Sequence, residues 1–171
     1  MTETTERAAT EGGVSARIPS LLDESLRTLG RREPLTVAPG TSLAECLRAI
    51  QRQGVGDSVV VADRHGRLLG VLTERDIFTS LIGTNVDLSQ SVDGFMNTEP
   101  HTLRLDQTVG DAMRLMESGR YRNIPIIDDD GSIAGIVRQQ DLLRALAESF
   151  PEELLNLPPR PHQQMEETDG G

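Results

Sequence analysis

The residues with the most chemical promise sit where a β-branched run gives way to a helical stretch, at Thr73-Glu74-Arg75-Asp76. A hydroxyl at such a junction lies beside free backbone N–H groups and the positive end of the helix dipole, a place that attracts phosphate. Asp76, one turn further on, can accept hydrogen bonds from both hydroxyls of a ribose. Each such charged bond contributes about 1.5–3 kcal/mol where water is excluded. Gly70, inside the preceding strand, marks a point where the backbone comes close to another group. Thr-x-x-Asp is equally a helix capping box, and the sequence leaves Thr73 free to serve either role or both.

What positions these residues is an internal repeat. Pro34 opens PLTVAPGTSLAECLRAIQ and Pro100 opens PHTLRLDQTVGDAMRLME, 66 positions later. Leu43, Cys46, Leu47 and Ile50 follow the i, i+3, i+4, i+7 spacing of one helix face, and Val109, Ala112, Met113 and Met116 repeat it. Ser42 with Glu45, and Thr108 with Asp111, supply matching caps. Further on, SVVVADRHGRLLGVLTERDI from Ser58 matches NIPIIDDDGSIAGIVRQQDL from Asn123 at an offset of 65. Each copy reads strand (35–37 or 101–103), helix, strand (Ser58–Ala62 or Ile124–Ile127), turn, strand (Leu68–Leu72 or Ile133–Val137), helix. Gly66 and Gly131 close the tight turns. A β-α-β-β-α unit of roughly fifty residues buries little surface alone, so the copies are expected to pack on one another.

Composition removes several function classes. The chain of 171 residues has a formal net charge of −10, which argues against a nucleic-acid partner. Its 17 basic residues are all arginine, which excludes Schiff-base lysine chemistry and a Walker A loop. Aromatics make up 2% of the chain, too few for a base-stacking platform. Cys46 is the one cysteine, on an apolar helix face, and is expected in the core. His65, His101 and His162 have no metal-ligand spacing. No apolar run suits a membrane span and no secretory leader is visible, so the expected location is the cytoplasm, away from the membrane. No nucleophile–base constellation emerges, so a catalyst is not expected.

In tandem, Gly70-Val71-Leu72-Thr73-Glu74-Arg75-Asp76 and Gly135-Ile136-Val137-Arg138-Gln139-Gln140-Asp141, each ending a β-α-β-β run, resemble the CBS-domain family. The resemblance covers about 34–148 and implies an α+β fold in which two repeats pack with pseudo-two-fold symmetry around two clefts. The expected organisation is a disordered 1–18, an N-terminal helix at 19–33, and a first CBS domain at 34–84. A linker at 85–97, a second CBS domain at 98–148 and a Pro-rich tail at 149–171 complete it. That tail is either frayed or docked through Leu154, Leu155 and Leu157.

The resemblance further implies an adenosyl ligand (AMP, ADP, ATP, NAD or S-adenosylmethionine) with a regulatory rather than a catalytic role. It also implies a homodimer and a separate regulated protein. Carried over residue by residue, the main cleft unites Gly70, Thr73, Arg75 and Asp76 with His101, Thr102, Arg120, Tyr121, Arg122 and Asn123. Arg122 is its expected phosphate contact and Arg120 the more exposed. The second cleft combines Thr36, Asp57, Arg138 and Asp141 and departs from the pattern. Arg138 stands in the hydroxyl position and Asp57 in that of Arg122, so Arg138 either pairs with Asp57 or holds an anion, and this cleft is expected to be weak or closed. Ile77, Phe78, Leu81, Leu142, Leu143 and Leu146 belong either to a dimer face or to the inter-repeat core. A ligand-free interaction scaffold is the alternative function.

Overall fold

A computed structural model describes residues 20–29, 32–54, 58–82 and 86–149. The calls on 1–18, the tail and Asp57 lie outside the described residues, as does the side chain of Leu81. Strand β1 (Thr36–Val37) leads to helix α1 (Leu43–Gln53), then β2 (Ser58–Ala62), β3 (Leu68–Thr73) and helix α2 (Glu74–Leu81). The second copy runs through helix α3 (Val109–Gly119), β4 (Asn123–Ile127), β5 (Ile133–Arg138) and helix α4 (Gln139–Ser149). The expected α+β fold of two CBS-type repeats is present. One sheet has the order β1-β2-β3 and the other pairs β4 with β5. The strand expected at 101–103 is only a parallel bridge between Leu103 and Ile126, so the second sheet lacks a full first strand. No helix among the described residues is long and apolar enough to cross a membrane.

The helices begin where the capping boxes stand. Glu45 N–H donates to Ser42 Oγ at 3.3 Å, and Ser42 N–H donates back to Glu45 Oε2 at 3.0 Å. Thr108 with Asp111 and Thr73 with Asp76 repeat the exchange, satisfying donors that a helix start otherwise leaves open. Each apolar stripe then packs on its own sheet. Leu43, Cys46 and Ile50 join Val59, Val61 and Leu72 in one core, while Val109, Ala112 and Met116 join Ile124, Ile126 and Val137 in the other. Burial, with the charge of Glu45 second, pushes the Cys46 thiol up, keeping it protonated and inert at neutral pH.

The pseudo-two-fold relation is written in reciprocal main-chain bonds. Ile133 N–H donates to Gly66 O at 2.9 Å and Leu68 N–H to Gly131 O at 3.3 Å, locking the hairpin tips together. Val71 N–H donates to Asn97 O (3.0 Å), and its equivalent Ile136 N–H donates to Arg32 O (3.1 Å). Leu26 N–H reaches Gln107 O just as Val92 N–H reaches Thr41 O, both at 2.8 Å. The segment ahead of each copy therefore crosses to the other copy. Where sequence suggests one helix at 19–33, the chain forms a helical turn at 20–22, a bridge from Ser25 to Thr108 and a 3-10 turn at Leu26–Leu29. The linker likewise holds a 3-10 turn at Val92–Gly94. Leu26 seals the second core as Val92 seals the first.

Gly70 is required by this crossing. A Cβ there would meet Met96 Sδ at 2.7 Å and the Asn97 carbonyl at 2.8 Å. Gly70→Ala should lower stability by about 1–3 kcal/mol through overpacking, while Gly94→Ala, with open space around it, should stay within about 0.5 kcal/mol in urea melts. The Thr108 backbone N–H, followed by the Arg114 side chain, holds the Asp111 carboxyl below its ordinary value of 3.8. The unfolded chain binds that proton more readily, so the stabilisation is complete above 3.8 and fades as pH falls through the lower folded value. In acid titrations monitored by circular dichroism, the stability gap between the protein and Asp111→Asn should therefore narrow below about pH 4.

Candidate functional site

The crossing of 96–101 over β3 leaves a cleft of about 450 Å³ between the repeats. From the first copy it is lined by Ser58, Val71 and the run Thr73, Glu74, Arg75, Asp76, with Phe78, Thr79 and Ile82 further along α2. Asn97, Pro100, His101, Arg120, Tyr121, Arg122, Asn123 and Pro125 face them. Of the residues proposed for the main cleft, Thr73, Arg75, Asp76, Arg122 and Asn123 thus meet at one cavity, with His101, Arg120 and Tyr121 beside them. Gly70 and Thr102 are not in its lining. Gly70 lies beneath Met96 and Asn97, so the group that its bare backbone admits is the protein's own chain.

Thr73 and Asp76 are locked to each other. Thr73 N–H and hydroxyl donate to Asp76 Oδ2 at 2.9 and 2.6 Å, and Asp76 N–H donates to Thr73 Oγ1 at 3.2 Å. Capping thus orients the carboxylate and uses one of its oxygens. Among the described residues, Oδ1 accepts no hydrogen bond. A carboxylate presenting one oriented oxygen to a cavity can accept from a sugar hydroxyl. Arg75, Arg120 and Arg122 line the same cavity as Glu74 and Asp76 and carry guanidinium groups of the kind suited to phosphate oxygens.

Several lining residues escaped sequence reasoning. Phe78 is 62% exposed and Ile82 79% exposed, giving the cleft an apolar lip on the α2 side. Of the ridge assigned either to a dimer face or to the core, Ile77 and Leu142 are core, whereas Phe78 and Leu143 are exposed. Tyr121 stands opposite, its ring 5.3 Å from that of His101. Gly119 makes room for that ring, since a Cβ would lie 1.9 Å from a Tyr121 ring carbon. Arg120, at φ 52°, turns the chain there as the cap residue of α3. Gly119, three residues past Met116 and two before Tyr121, is the local feature that lets the ring fold back on the end of α3.

The second cleft has a different interior. Arg138 is buried, 8% exposed, and its backbone N–H donates to Asp141 Oδ2 at 3.2 Å. Asp141 Oδ1 accepts from Arg32 Nε at 2.5 Å. Arg32 was not among the expected site residues, and Thr36 is exposed on β1, its hydroxyl donating to the Pro34 carbonyl.

Tyr121 is the single tyrosine of a chain without tryptophan, so intrinsic emission reports on the cleft alone. Gly119→Ala should displace its ring, and acrylamide quenching of that emission should rise.

Comparison with known proteins agrees with this geometry. The CBS-domain family profile matches residues 26–83 and 92–148. An uncharacterised 17.7 kDa protein of Acidianus ambivalens is 34% identical over 110 residues, 64% of this chain and 65% of its own. This relative and two others are matched over 40–65% of their own lengths. A CBS-domain protein of Agrobacterium tumefaciens superposes with a TM-score of 0.63 at 31% identity, over 71% of this chain and 90% of that one. CBSX2 in complex with AMP superposes with a TM-score of 0.62 at 25% identity, over 72% and 96%. With the profile matched twice and the two copies crossing over each other's sheets, the chain belongs to the CBS-domain family and carries the domain as a pair.

Proposed function

We propose that this CBS pair is a regulatory, non-catalytic module whose first cleft binds an adenosyl ligand and signals its occupancy to a partner protein. The observation that carries the reading is the Asp76 carboxylate, whose Oδ1 accepts no hydrogen bond among the described residues and which the Thr73 cap holds at the wall of a cavity that also collects three arginines. In this pose the ribose hydroxyls donate to Asp76, and the phosphate lies near Thr73, Arg75 and Arg122. The adenine rests between the apolar lip of Phe78 and Ile82 and the Tyr121 side. The AMP complex of CBSX2 supports an adenosyl ligand for this fold. ADP, ATP and S-adenosylmethionine remain chemically compatible with the same cleft. Because the wall is built from both repeats, a ligand bridging them resists their relative movement, which is the change a partner can sense.

A second copy of the chain is the expected dimer partner. Exposed Leu143 on α4, beside a groove of about 470 Å³ lined by Leu22, Met113, Leu142 and Leu146, is the apolar surface it would cover.

In thermal-shift and calorimetric titrations, AMP, ADP or ATP should raise the melting temperature and quench or enhance Tyr121 emission. Asp76→Asn keeps an oxygen for the cap but removes the charge, and it should weaken binding about 10- to 100-fold, the loss of one charged hydrogen bond. Asp141→Asn should leave that affinity within about twofold, being a distant and independent site. Silence across the nucleotide panel would replace this reading with that of a ligand-free scaffold.

A further inference from the structure

The two clefts start from one plan and differ in what holds the motif carboxylate. In the first, Asp76 Oδ2 is used by the Thr73 cap and Oδ1 is left open. In the second, the equivalent carboxylate Asp141 uses Oδ2 for the Arg138 N–H, while Oδ1 accepts the Arg32 Nε–H at 2.5 Å. Arg32 and Asn97 are equivalent positions 65 apart, since their carbonyls accept from the equivalent strand residues Ile136 and Val71. The crossing segment therefore brings an uncharged amide to the first cleft and a guanidinium onto the carboxylate of the second.

The Asp141 side chain is 11% exposed and that of Arg32 40%, so the pair is shielded from water on its carboxylate side only. A ribose hydroxyl reaching that oxygen would have to displace a charged partner and leave it unpaired, an exchange that favours the resident pair. The 3-10 turn Leu26–Leu29 holds the Arg32 segment in place, because it packs against α4 and buries Leu26 in the second core. Arg138, itself buried, stands at the register position that Thr73 holds in the first cleft.

Resting on the reading that the first cleft takes an adenosyl ligand, we infer that Arg32 is a built-in occupant of the second. Its guanidinium holds the carboxylate oxygen that a sugar would use, and the protein carries one adenosyl site. The asymmetry thus originates in the segment ahead of the first repeat and not in the motif residues alone.

Calorimetry with AMP and ATP decides the matter. The wild-type chain should bind one equivalent. Arg32→Asn, which copies Asn97, should bind two, either alone or combined with Arg138→Thr, which copies Thr73. Adding Asp76→Asn to the two-site variant should cost the first site and spare the new one. Two sites in the wild-type chain, or one site in both the single and the double variant, would overturn the inference. If the wild-type chain binds neither nucleotide, the reading of the first cleft has failed, and melting of Arg32→Asn, Asp141→Asn and their combination judges the contact separately. A combined shift no larger than either single shift supports the pair, and additive shifts overturn it.

Discussion

The structure depends on a pair of main-chain crossings. The outer edges of β3 and β5 present N–H and C=O groups that must find partners or remain exposed as adhesive strand edges. Asn97 satisfies Val71 on the first edge, and Arg32 satisfies Ile136 on the second. Each crossing strand belongs to the chain ahead of the opposite repeat, so neither copy completes its sheet without its sister. The hairpin tips add a second reciprocal contact through Gly66 and Gly131. Together they fix the angle between the copies, and Val60, Val71 and Ile136 form a small apolar cluster where they meet.

The cleft follows from that geometry. Once 96–101 lies across β3, the start of α2 faces the end of α3 and the start of β4, and residues roughly fifty apart in sequence become opposite walls. The helix cap then acquires a second use. Thr73 satisfies the N-terminal donors of α2 and in doing so turns the Asp76 carboxylate with one oxygen toward the cavity. Stability and the proposed recognition thus draw on one set of bonds, because a carboxylate has more acceptor positions than the cap consumes. In the second copy the same backbone bond survives between Arg138 and Asp141, yet the spare oxygen is taken by Arg32. Duplication preserved the scaffold; the side chains laid on it differ.

Much of this was legible beforehand, for reasons that are local. The stripes beginning at Leu43 and Val109, the Ser42 and Thr108 caps and the Gly66 and Gly131 turns each depend on neighbours a few residues away. Less legible was the reach of the repeat into 20–33 and 86–97. Its signal, Leu22-Asp23-Glu24-Ser25-Leu26 against Leu88-Ser89-Gln90-Ser91-Val92, is short and lacks the periodicity of a helix or strand. The two segments form short 3-10 turns held in place by bridges to the other repeat, so propensity alone has little to say about them.

The amino-acid sequence by itself determined that two copies of a helix-strand-strand-helix unit would form and where their helices would start. It also determined that Thr73 and Asp76 would share one turn, since periodicity and capping act within a few residues. Tertiary structure alone decided which crossing segment covers which motif, that Phe78 would wall the open cleft, and that Arg32 would meet Asp141. Those partners are 109 residues apart in the chain, and only the folding of one repeat against the other brings a guanidinium within bonding distance of that carboxylate.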